Sequence, residues 1–474
     1  MRRSKFFFAL FFIIAGLLTL EVRGNQDELL GFWFSSIGDD DQKVVMHIYK
    51  NQNMITGESH SYSGKAKFNS LPFGRVNVDF PKIAFVSNVE ADIRYKGELQ
   101  KTKNGNIITG SLIYKDGSEM ELNLKKLSSA ELRKDFPGLA DSDPLEYNTP
   151  PELNDGLETA DIKESGLDFD KIDLFFNKIA AGEMGKIHSL LVYKNGKLLL
   201  EKYYDGFHRD NLHAVRSVTK SVGSLLVGIA LDKNYLNNCA GKISSFFPEY
   251  KSEMDPAWNS ISLRHILTMS AGLNWEKGED EKALYTSDNV ILATLKKKGK
   301  PIDKFEYRNP NVNLISGIIK KTTGEQADLF ADRNLFKPLG IKDFDWDYRK
   351  QNGYPMIDGS LLLKPRDMLK FGVLILQNGK WNDEQIVSEK WIEKSTSPII
   401  KVDENFDYGY LWWIGKSAAN GAKVIMANGW GSQFILIVPS IETVIVTTGA
   451  NFDAASHLKS LKMLDEYIIS EVAR

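Results

Sequence analysis

Arg216-Ser217-Val218-Thr219-Lys220-Ser221 places a lysine three residues after a serine, just ahead of the apolar run Leu225-Leu226-Val227-Gly228-Ile229-Ala230-Leu231. Residues three apart on a helix share a face, so the Ser217 hydroxyl and the Lys220 amine can meet if a helix opens here. A neutral hydroxyl is a poor nucleophile and needs a base beside it. A lysine buried by the apolar run can have its pKa lowered and act as that base, or organise another one. The same tetrapeptide also fits a serine that caps a helix and a lysine in solvent. Partner residues have to decide.

Two partner sets compete. Tyr307-Arg308-Asn309 offers a phenol that can work as a general base near an ammonium. Its asparagine can donate and accept hydrogen bonds, which suits orienting a lysine or a substrate carbonyl. Asn428-Gly429-Trp430-Gly431 precedes a strong strand pattern, and its glycines allow close backbone approach at the edge of a site. A backbone N–H there, with that of Ser217, makes an oxyanion hole. The other set is Ser287-Asp288-Asn289 with Lys321-Thr322-Thr323-Gly324. Ser287 sits where a helix should start and Gly324 where one should stop, so local structure accounts for both.

The elements that would carry these residues come in two blocks. Residues 25–128 hold short, partly alternating runs separated by Asn104-Gly105 and Asp116-Gly117, a β-rich pattern that suits a lipocalin-like barrel or a sandwich. Gly31-Phe32-Trp33 is similar to the G-x-W of lipocalin-like barrels, and equally fits an aromatic anchor on a first strand. Residues 129–165 are rich in proline and acids and read as a connector. Residues 166–474 open with a hairpin at Asn195-Gly196, continue through helical stretches and return to strands at KVIMANG, SQFILIVPS and TVIVTTG before a last helix. Strands at both ends of a helical middle predict an α+β fold: an antiparallel sheet with a helical subdomain.

The 474 residues predict more than one domain. A formal charge of −2 and no basic stripe argue against nucleic acid as a partner. The seven histidines form no close metal-ligand spacing, so neither metal nor cofactor is expected. Residues 1–24 combine Arg2, Arg3 and Lys5 with an apolar run over 6–20, and predict a signal peptide and an exported protein, periplasmic or secreted, with no membrane association after its removal. The single cysteine, Cys239, follows an apolar helical run and is expected to be packed rather than reactive.

Taken together and in order, SVTKS, LTMSAGL, YRNPNVNLISGIIKKTTG, LFKPLGI, KPRDMLKFG, YGYLWW and NGWGSQ resemble the class C β-lactamase-related serine hydrolases over about residues 165–470. That group holds class C β-lactamases, D-alanyl-D-alanine peptidases, certain esterases and the 6-aminohexanoate-dimer hydrolases. The resemblance implies a β-lactamase-like serine hydrolase domain with Ser217 as acylated nucleophile, Lys220 as its activating partner and Tyr307 as general base and acid. It also implies an oxyanion hole from the N–H groups of Ser217 and Trp430, with Asn309, Arg308, Asn428 and Gly429 around the substrate. The family's third motif usually begins with Lys or His, where this chain has Asn428. The lost cation favours a carboxylic ester or a small linear amide over a β-lactam, although Arg308 can replace the charge. A β-lactamase, a D-alanyl-D-alanine peptidase and an inactive peptide- or cell-wall-binding protein stay open as alternatives.

Overall fold

The computed structural model describes residues 28–470 except 38–41, 52–53, 64–66, 74–75, 80, 87–93, 104, 115, 129, 133–148, 166–168, 181, 205–206, 275–283, 285, 302 and 347–352. The expected signal peptide, residues 1–24, and residues 129 and 133–148 of the expected connector therefore lie outside the described residues. The chain forms two compact units, Met1–Ala140 and Asp141–Arg474.

In the first unit ten strands, from Gly31–Ile37 to Leu124–Lys126, hydrogen-bond into one antiparallel sheet. The first strand lies between Gln42–Asn51 and the last strand, with Trp33 opposite both Met46 and Lys126. Trp33 is fully buried. Its indole N–H donates to the Leu29 carbonyl, and the Lys126 ammonium stands 5.4 Å over its ring. Gly31-Phe32-Trp33 thus supplies an aromatic anchor. Among the described residues no ladder joins the edge strands Lys67–Phe73 and Asn77–Asp79, and one backbone bond, Val76 N–H to Ile55 carbonyl, links the two ends of the sheet. Among the described residues the ten strands form a single sheet rather than two.

The second unit is built on a nine-stranded sheet. The alternation in its strands is direct. Ile425, Ala427, Ile435, Ile437, Val444 and Val446 enter one core, while Met426, Phe434, Leu436 and Ile445 enter the other. That period of two is what buries both faces under helices. The helices Phe169–Ala180 and Ala454–Leu464 cover one face, and the helical subdomain and Pro365–Leu376 cover the other. The predicted hairpin forms as Ile187–Lys194 and Lys197–Tyr203, with Asn195 (φ 48°) and Gly196 (φ 86°) both in the left-handed region that a tight two-residue turn demands. Part of the expected connector belongs to this unit. Glu158–Thr159 pairs in parallel with Lys197–Leu198, and the buried Arg366 guanidinium binds Asp155 and the Pro151 carbonyl.

Candidate active site

The helix Val218–Asp232 is apolar almost all round, and every residue from Val218 to Ala230 is buried. Its N-terminus therefore opens inside the protein. Arg216, with φ 52°, turns the chain sharply into Ser217. Ser217 occupies the N-cap position, yet its side chain makes no capping bond. Instead its Oγ accepts a hydrogen bond from Lys220 Nζ at 2.8 Å. The capping alternative is thereby excluded. Lys220 is only 1 % exposed, and its second partner is the Asp358 carbonyl. A lysine that donates to Oγ lowers the cost of an alkoxide there; taking the serine proton needs the neutral amine or a second base.

Tyr307 faces this pair, with Lys220 Nζ 5.1 Å from its ring centroid. Its ring is held by Trp413, stacked at 6.0 Å, and by Phe305 at 6.2 Å. The loop is fixed from behind: the Glu306 N–H donates to the carbonyl of Met269, a residue at φ 53° in LTMSAGL. The neighbouring Tyr408 is fully buried, and burial pushes its phenol well above its ordinary value, so it stays neutral.

Asn309 begins the helix Asn309–Thr323, and its Oδ1 is buried with no hydrogen-bond partner. That leaves an acceptor available beside the site, although Asn309 makes no bond to Lys220. The Arg308 guanidinium pairs with Glu306, two residues back in its own loop.

The third motif forms the end of one strand, Lys423–Gly429, and the turn into Gln433–Val438. A Cβ on Gly429 would sit 2.3 Å from the Val215 carbonyl and 3.3 Å from Arg216 Cβ. Only glycine lets the strand end lie against the segment that enters Ser217. This brings the backbone at 429–430 alongside the nucleophile turn. Asn428 is half-buried and pairs with Phe434, and Trp430 is 44 % exposed.

Two participants escaped the sequence reading. The Asp358 N–H donates to Asn313 Oδ1 at 3.1 Å, so Asn313 fixes the segment whose carbonyl receives Lys220. An asparagine in the apolar middle of NVNLISGII was the available signal; a backbone carbonyl gives none. The competing motif is used locally. Asn289, not Ser287, caps the helix Val290–Leu295, its side chain accepting from Leu292 N–H. Gly324 ends Asn309–Thr323 in the left-handed conformation. His213 is buried against Phe207 and His188, and burial lowers its pKa to about 3. Cys239 is buried and free, its thiol pushed up to about 11 by burial. No group of side chains among the described residues could hold a metal ion.

The "6-aminohexanoate-dimer hydrolase" of Paenarthrobacter ureafaciens is 23 % identical over 288 residues, which cover 54 % of this chain and 71 % of that protein. Among solved structures, a provisionally assigned β-lactamase from Bacteroides dorei superposes with a TM-score of 0.55 at 18 % identity, over 65 % of this chain and 100 % of its own. A provisionally assigned 6-aminohexanoate-dimer hydrolase from Bacillus anthracis gives 0.53 at 17 % identity, over 72 % and 94 %. These likenesses show a β-lactamase-like fold. The Beta-lactamase family model matches residues 183–457, more than half of the chain and all of the segments that build the site, and the chain therefore belongs to the β-lactamase family of serine hydrolases.

Proposed function

We propose that the chain hydrolyses a small linear amide or a carboxylic ester through an acyl-enzyme on Ser217. The observation that carries this is the 2.8 Å bond from the buried Lys220 amine to an Oγ that caps nothing. In this reading Ser217 Oγ attacks the substrate carbonyl and its proton passes to Tyr307 as general base. The N–H groups of Ser217 and Trp430 receive the oxyanion. Tyr307 then protonates the leaving amine or alcohol, and water releases the acid by the same steps in reverse.

Asn428 supports the choice of substrate class. It leaves no cation at the head of the third motif, and the Arg308 guanidinium pairs with Glu306. The similarity to 6-aminohexanoate-dimer hydrolase points the same way, towards linear amides. The basic and apolar residues 2–20 favour export to the periplasm or beyond.

Intact mass after a fluorophosphonate probe tests the site. One adduct on the wild type, absent from Ser217→Ala, is the expected result; an adduct that survives the substitution overturns it. A folded wild type that takes no probe would leave the binding-protein alternative in its place. Cephalosporin turnover above ~1 s⁻¹ would overturn the preference for linear substrates.

A further inference from the structure

The turn that carries Trp430 is held from behind by side chains that the chemistry at Ser217 does not use. Gly431 (φ 92°) and Ser432 (φ 69°) both lie in the left-handed region, and a serine persists there only when its surroundings impose it. Four buried polar side chains do so. Asn451 Nδ2 donates to Ser432 Oγ at 3.0 Å, and Ser432 Oγ shares a hydrogen bond with Ser460 Oγ at 2.7 Å. Gln433 Nε2 donates to the carbonyls of Gly431 and Gly449. The Ser432 N–H donates to His457 Nδ1 at 3.1 Å.

The last bond fixes a protonation state. A backbone amide only donates, so Nδ1 is the unprotonated nitrogen and the ring carries its proton on Nε2. The ring is also wedged between Trp430, at 5.2 Å, and Phe434, at 4.9 Å. His457 therefore touches the backbone of the turn on one edge and its exposed indole on a face.

We propose that His457 is a positioning residue: by accepting the Ser432 N–H it fixes the turn that presents the Trp430 amide to the developing oxyanion. The proposal rests on the reading that Ser217 is acylated and that Trp430 supplies one oxyanion donor.

Charge bears on it in one direction each way. Burial pulls the imidazole down to about 4, while the Asp453 carboxylate, at the N-cap of the same helix, pulls it up by less. From the loop and strand packed against it, the residues that face His457 are Trp430, Ser432 and Phe434, none of them charged. Above about pH 4 the ring is neutral and accepts the bond. Below it, Nδ1 gains a proton and meets the Ser432 N–H donor to donor, so the hold on the turn is lost.

Two variants separate the acceptor from the ring. His457→Phe keeps the packing and removes the acceptor; His457→Asn places Oδ1 near the Nδ1 position and removes the ring. With p-nitrophenyl acetate as probe, His457→Phe should lose about 10–100-fold in kcat, the scale of misplacing a catalytic group by an ångström, with KM little changed. His457→Asn should stay within a few-fold of wild type and lack the fall in kcat expected of the wild type near pH 4. A folded His457→Phe with wild-type kcat overturns the proposal. If His457→Phe does not fold, His457→Asn decides: an acid limb identical to wild type overturns it. Fluorophosphonate labelling separates this failure from failure of the site. Normal labelling of Ser217 in His457→Phe defeats the positioning role alone, whereas a wild type labelled elsewhere brings down both.

Discussion

At Ser217 the hydroxyl has a buried amine 2.8 Å away and makes no cap; at Ser287 the hydroxyl donates to the Leu284 carbonyl at 2.7 Å, and Asn289 caps the helix that follows. The lysines differ in the same sense. Lys220 is sealed from water, whereas Lys321 sits at the surface in an ion pair with Glu249 that raises its pKa. Both stretches satisfy a short motif. What separates them is burial of the N-terminus of one helix. At the helix that starts inside the protein the serine and lysine meet each other, while at the helix that starts at the surface the polar side chains bond their own backbone or a surface partner.

Substitutions that strike one member of each pair test this contrast. Lys220→Met keeps the volume and removes the amine; kcat should fall by about 10⁴-fold or more, the scale of losing a member of a serine triad. Lys321→Met should leave kcat unchanged and cost at most about 1 kcal/mol, as an exposed ion pair does. Equal losses in both would erase the distinction. Tyr307→Phe should slow turnover by roughly 10²–10⁴-fold in stopped-flow assays. Near-normal turnover would move the base role to Lys220 alone. Asn289→Ala should cost about 1 kcal/mol in urea unfolding with kcat intact, because it removes a helix cap. Ser287→Ala should cost about 0.5 kcal/mol or less. Any loss of activity at Ser287 or Asn289 would return that motif to the site.

The legible part of the site was the part encoded locally. Ser217 and Lys220 follow from helical spacing beside an apolar run, and the strands from KVIMANG to TVIVTTG follow from their alternation. Arg308 was legible as a cation but not as a partnered one, although Glu306 stands two residues away, because sequence does not show which way a side chain turns. The Asp358 carbonyl was not legible at all: it is a backbone atom brought to Lys220 across the fold. His457 was equally silent, since its partner is another backbone group, on a turn whose conformation only the sheet reveals. In the first unit, strand content was readable from alternation, but whether strands close, stack or stay open depends on pairings between distant edges.

The sheet of the second unit carries an order of assembly in its ladder. Ile187–Lys194, the longest strand of that sheet and among the first to be synthesised, pairs from end to end, with one register shift, with Thr443–Gly449, almost the last part of the unit to be made. A ribosome must therefore release nearly the entire unit before the central ladder closes, and until then a strand of buried apolar residues waits with one edge open. Such a chain gains little from folding as it emerges. It favours late, all-at-once collapse, depends on being kept from aggregation in the interval, and loses its central sheet to any truncation that stops short of Thr443.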